Sequence, residues 1–184
     1  MKYFFDTEFL EDGRTIGLIS IGIVAEDGRE YYAISDDFEF YRLARDEWML
    51  TNVVPSLPVE VFFDGDGVTK RIGKRESPYW RRRDEIAAEI LEFIGDDKPE
   101  WWAYYCSYDW VALCQLFGKM IDLPKGWPKY CLDIKQLAVS LGNPKLPAKD
   151  GNEHHALADA RWNKKAWEFL DERSIGGFML GGGT

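Results

Sequence analysis

Apolar positions near the start of the chain fall into three short runs, residues 2–9, Thr15–Val24 and Tyr31–Ile34, separated by Glu-Asp-Gly triplets at 11–13 and 26–28. The runs are rich in β-branched and aromatic residues, and Asp-Gly between such runs is a hairpin signal, so the pattern predicts a three-strand antiparallel meander. From Asp36 to Tyr79 the pattern loosens. A helix over Arg42–Asn52 is followed by Pro55, Pro58 and an Asp64-Gly65-Asp66-Gly67 turn, and residues 36–80 read as an insertion. Periodicity then returns: Ile86, Ile90, Phe93 and Ile94 recur at three- and four-residue intervals and predict an amphipathic helix over Trp80–Ile94, closed by Gly95. A strand at Trp101–Cys106, a helix at Trp110–Met120, a strand at Tyr130–Leu132 and helices at Ile134–Leu141 and Ala156–Leu170 complete the reading. Residues 176–184 hold five glycines and read as a flexible tail.

Strands followed by alternating helices and strands give an α/β class: a mixed β-sheet, an antiparallel three-strand meander plus parallel strands, flanked by helices. No linker divides residues 1–175, which read as one domain. With 184 residues and 46% hydrophobic content the chain can bury its own core without disulfides or a structural metal. Its cysteines, Cys106, Cys114 and Cys131, match no zinc or disulfide spacing, and no apolar stretch is long enough to cross a bilayer. The expectation is a cytoplasmic protein with no membrane partner. A formal charge of -9 repels polyanions in bulk, so a nucleic acid must be caught locally. Eight tryptophans exceed what one small core obviously needs, which points to a homodimer.

Asp6 and Glu8 lie two apart on the first strand and project from one face, with Cα atoms roughly 6.5–7 Å apart, so both can converge on a cation. Between core-like Phe4, Phe5 and Phe9, unpaired carboxylates would be costly. Asp109 stands where an apolar strand gives way to a helix; it suits an N-cap, and it also suits a ligand site at a strand's carboxyl end. Both histidines of the chain, His154 and His155, precede Asp159. Four acids and a histidine suit metal-assisted hydrolysis: hard carboxylate oxygens bind Mg²⁺ or Mn²⁺, and a histidine takes a proton from water.

Asp6-Thr7-Glu8, Tyr108-Asp109 and His154-x-Ala156-x-x-Asp159-Ala160 together resemble the three motifs of the DEDDh 3'-5' exonucleases, of the ribonuclease-H-like superfamily. Residues 3–13, 18–22 and 26–32 are similar to the ribonuclease AS group within it, 3'-exoribonucleases that prefer polyadenylate. The resemblance implies a ribonuclease-H-like fold and the removal of 5'-mononucleotides from single-stranded RNA 3' ends. It implies that Asp6, Glu8, Asp109 and Asp159 hold two divalent cations, that His154 is the general base, and that Glu8, Phe9 and Leu10 meet the 3'-terminal nucleotide. It also favours a homodimer. Phe9 and Cys106 depart from the commoner family pattern, where Thr and Asn stand.

Spacing and motif choose different histidines. On a continuous helix His155 shares a face with Asp159, while His154 is about 140° away. The motif selects His154, which requires a loop before the helix, as Gly151 and Asn152 suggest. Plain core packing is the other reading of Phe9 and Leu10. Lys70, Arg71, Lys74, Arg75, Arg81, Arg82 and Arg83, with Tyr79 and Trp80 among them, form the one stretch basic enough to follow a phosphate backbone; Arg82 and Arg83 followed by Asp84 and Glu85 read equally as a solvated helix face. A DNA exonuclease of the same fold and a small-nucleotide phosphodiesterase or pyrophosphatase are the alternatives; the latter needs a closed pocket.

Overall fold

Alternation of apolar side chains builds the first three strands. β1 (Lys2–Glu11), β2 (Ile16–Ala25) and β3 (Glu30–Ser35) form the antiparallel meander, turned at Gly13 and Gly28, whose φ angles of +78° and +91° suit glycine. The computed structural model describes residues 1–65, 70–149, 151 and 154–180. Asp66 and Gly67 of the expected turn, Asn152 of the expected loop, and residues 181–184 of the expected tail lie outside this set. Helix continues through Leu180.

Two short helices, α1 (Phe40–Leu43) and α2 (Glu47–Asn52), replace the single helix expected at 42–52, because Asp46 caps a fresh start by accepting from the Met49 amide at 3.0 Å. A hairpin of β4 (Val59–Phe63) and β5 (Lys70–Lys74) follows. β6 (Trp80–Arg81) then pairs parallel with β3, so the helix expected from Trp80 starts only at α3 (Arg83–Ile94). β7 (Glu100–Ala103) runs parallel to β1, and α4 (Ser107–Gln115) begins earlier than its periodicity predicts. β8 (Leu132–Asp133), α5 (Ile134–Ser140) and α6 (Ala156–Leu180) complete the chain. The main sheet has the order β6-β3-β2-β1-β7-β8, the mixed α/β sheet flanked by helices that the pattern implies.

The two faces of β1 serve different layers. Tyr3 and Phe5 pack with Ile86, Ile90 and Leu113 of α3 and α4, whereas Phe4 packs with Ile134, Ala138, Ala166 and Leu170 of α5 and α6. A third cluster joins Leu10, Ile19 and Ile34 to Leu43, Met49 and Val53, so residues 36–57 cover the far end of β1 and β2. Seven of the eight tryptophans are buried or half-buried; Trp48 is the exposed one.

Candidate active site

Asp6 and Glu8 continue the face of β1 that begins with Phe4, beneath α6. Across the ladder Asp6 pairs with Gly22 of β2, and a bulge follows Glu8. Only glycine fits at position 22, because a Cβ there would stand 2.4 Å from both Cα and N of Leu157. Its bare backbone lets the first turn of α6 lie directly on the sheet, and Asn163 fixes that contact by donating to the Phe5 carbonyl at 2.8 Å. Asp159, in that turn, is thereby set beside the strand acids. Carboxylate oxygens of Asp6, Glu8 and Asp159 lie within 4.8 Å of one another.

Asp109 arrives from the opposite layer. In the first turn of α4 it is 7% exposed, and its Oδ1 accepts from the Thr7 amide at 2.8 Å and the Thr7 hydroxyl at 2.7 Å. Cys106, not Asp109, occupies the N-cap. The structure thus brings three of the four expected acids into one group and holds the fourth beside them through Thr7, the residue between Asp6 and Glu8.

Crowding these acids is electrostatically expensive. Burial, followed by repulsion from Asp109, Glu8 and Asp159, pushes the Asp6 carboxyl well above the ordinary range. Burial, then Asp159 and Asp109, raises Glu8 to about 8. Burial also raises Asp109, to about 6, against the lowering effect of its Thr7 hydrogen bonds. Lys149 opposes the rise at Asp6 and Glu8. Converging, buried carboxylate oxygens are the donor set that Mg²⁺ or Mn²⁺ favours, so the residues fit divalent cations.

The histidines occupy different environments. His154 has φ +63°; its amide donates to Asp159 Oδ2 at 3.0 Å, and its carbonyl accepts from the Ser56 hydroxyl at 2.8 Å. Its ring meets Trp48 edge-on, 5.0 Å between centroids. His155 stacks on Tyr32 at 4.6 Å, its Nδ1 accepts from the Ala158 amide at 3.4 Å, and burial lowers its pKa. Both precede α6, so the helical spacing that linked His155 to Asp159 does not apply.

Phe9 is half-buried and stacks on exposed Tyr108, with centroids 5.8 Å apart. Leu10 is 4% exposed in the third core cluster and also floors a hollow of 440 Å³ lined by Tyr41, Arg42, Arg45, Asp46 and Glu47. In the basic run Arg71, Lys74, Arg81, Arg82 and Arg83 each pair with a carboxylate, from Asp64, Asp36, Glu89, Asp84 and Asp37 respectively. They form a balanced surface. Sequence reasoning did not find Thr7, Ser56, Trp48 or Lys149. Gly22 carried a signal in the sequence, since a glycine inside an apolar strand marks a close approach.

A family model described as the 3'-5' exoribonuclease Rv2179c-like domain matches residues 66–170, a span that contains Asp109, His154 and Asp159. Two curated relatives, named 3'-5' exoribonuclease Rv2179c and 3'-5' exoribonuclease MT2234.1, come from the H37Rv and CDC 1551 strains of Mycobacterium tuberculosis. Each is 44% identical over 164 residues, covering 88% of this chain and 88% of its own.

Proposed function

This chain belongs to the Rv2179c-like 3'-5' exoribonuclease family, and from that premise we propose that it removes 5'-mononucleotides from single-stranded RNA 3' ends by metal-dependent hydrolysis. The observation that carries the reading is the convergence of Asp6, Glu8 and Asp159 within 4.8 Å, with Asp109 beside them. These four acids are the proposed holders of two divalent cations, Mg²⁺ or Mn²⁺. Bound there, such a pair lowers the pKa of an attacking water and stabilises the leaving 3'-oxygen.

The chain's own residues do the rest. His154 takes the proton from the attacking water through its imidazole, as a positioned general base. Its backbone is pinned on one side by Asp159 and on the other by Ser56. The cross-braced backbone fixes the ring's origin while leaving the ring outside the helix. Thr7 holds Asp109 from the far layer. Trp48 and Tyr108, 55% and 52% exposed, offer flat faces to unpaired bases, and Phe9 backs the second of them. Glu8, Phe9 and Leu10 are the proposed contacts of the terminal nucleotide. Open aromatic flanks favour a polymer end over a small nucleotide, which a closed pocket would suit better. Three unpaired cysteines accord with the reducing cytoplasm proposed for the protein.

The test is a time course on 5'-labelled oligoadenylate and oligouridylate RNA, with matched DNA, in Mg²⁺, Mn²⁺ or EDTA. The expected result is a metal-dependent ladder shortening from the 3' end, faster on RNA than DNA and fastest on adenylate. Equal rates on DNA would overturn the RNA assignment, and cleavage in EDTA would overturn the metal.

A further inference from the structure

Lys149 places a cation where none of the motifs calls for one. Its Nζ donates to Asp159 Oδ1 and stands 5.1 Å from the centroid of the Trp162 ring, while 35% of its side chain stays exposed. The Trp162 indole also donates to the Pro147 carbonyl at 3.0 Å, anchoring the chain two residues before Lys149. Asp159 and Trp162, three residues apart on α6, thus hold both the ammonium and the backbone that carries it. The ammonium is positioned, reachable from solvent, and in contact with a site carboxylate.

We propose that Lys149 binds the phosphate of the RNA's 3'-terminal nucleotide. The inference rests on the exoribonuclease reading above. Charge explains why a lysine belongs there: four carboxylates and two divalent cations balance one another before any substrate enters. The phosphodiester then adds one negative charge to a largely buried site, where an unpaired charge is costly. Lys149 supplies the matching positive one. Its pairing with Asp159 keeps it at the rim of the acid group, and its cation–π contact with Trp162 limits the conformational freedom lost when phosphate arrives. A lysine that only steadied Asp159 would act on cation affinity and not on phosphate.

The two roles separate in binding measurements that involve no turnover. The affinities of 5'-AMP and of adenosine, which lacks the phosphate, are measured calorimetrically in Mg²⁺ for wild type, Lys149→Met and Lys149→Arg, together with Mn²⁺ affinity without nucleotide. Lys149→Met is expected to weaken 5'-AMP about 10- to 100-fold, the worth of a hydrogen bond to a charged group. Adenosine binding should hold within about twofold and Mn²⁺ binding should not weaken, because Lys149→Met removes a cation that pairs with Asp159, and Lys149→Arg should recover most of the lost 5'-AMP affinity. The salt dependence of RNA binding should become shallower by about 0.7 in log–log slope, one phosphate contact on a single strand. Unchanged 5'-AMP affinity, or a loss matched by an equal loss of Mn²⁺ affinity, would overturn the proposal. Failure of wild type both to bind 5'-AMP and to degrade RNA would instead strike the exoribonuclease reading, and this inference with it.

Discussion

Replacing Gly22 by alanine tests whether the close seating of α6 assembles the site. The new Cβ would stand 2.4 Å from Leu157 Cα and N and 2.5 Å from the Ala156 carbonyl carbon, where ordinary contact begins at 3.4 Å. All three atoms are backbone, so no side chain can swing aside, and the first turn of α6 must lift by about 1 Å. Asn163 holds the next turn of the helix to Phe5, so the lift tilts the end that carries Asp159 away from Asp6. Overpacking of this kind costs about 1–3 kcal/mol of stability. A displacement of about 1 Å at reacting groups costs on the order of 100-fold in rate, or about 2.7 kcal/mol of transition-state stabilisation. Gly22→Ala should therefore remain folded, lose about 100-fold in kcat/KM on 5'-labelled oligoadenylate, and bind Mn²⁺ more weakly. Urea unfolding run beside the rate assay separates the two losses. Gly17→Ala on the same strand is the control, because its nearest neighbour is the Leu10 carbonyl at 3.7 Å, an ordinary contact. Activity of Gly22→Ala within about threefold of wild type, or a loss no larger than its unfolded fraction, would refute the argument.

Asp6→Asn and Asp159→Asn should each lower the RNA degradation rate about a thousandfold while melting stays cooperative; wild-type rates in either would remove that residue from the site. His154→Ala should cost about 10²- to 10⁴-fold in rate, whereas His155→Ala should cost about 1 kcal/mol of stability as a lost cap and stacking partner and leave the rate nearly intact. The reverse ranking in the same assay would assign the base to His155. In EDTA the protein should lose stability as pH rises from 4.5 to about 8, because the folded state keeps a proton on Glu8 that the unfolded chain has released. Melting curves across that range should fall steadily for wild type and less steeply for Glu8→Gln, in which Asp6 and Asp109 still carry raised carboxyls; a stability that rose with pH would contradict the burial argument.

The meander, the acids and the alternating order of helix and strand were legible because each is written locally, in periodicity, turn residues or a short motif. Contacts across large sequence separations were not. β6 sits in Trp80–Arg81 because β3 offers a free edge, and nothing in the helical periodicity that follows records that edge. The motif could name His154, but the Ser56 hydroxyl that holds its carbonyl lies 98 residues away in a segment that reads only as an insertion. Lys149 was invisible for a different reason: it lies only ten residues before Asp159, but in an irregular segment where no periodicity says which side chain meets the helix.

The acids that crowd together are divided between parts of the chain that meet at different times. Asp6 and Glu8 belong to a meander complete by residue 35, whereas Asp159 enters with α6. Short loop closures favour early formation of the meander, with its acids still hydrated. Their mutual repulsion is complete only when Asp109 and then Asp159 have joined them. That postponement makes α6 the layer that detaches first whenever cations are scarce, an opening below the global unfolding free energy. Amide hydrogen exchange over residues 156–170 then outpaces exchange in β2, and added cations close that gap.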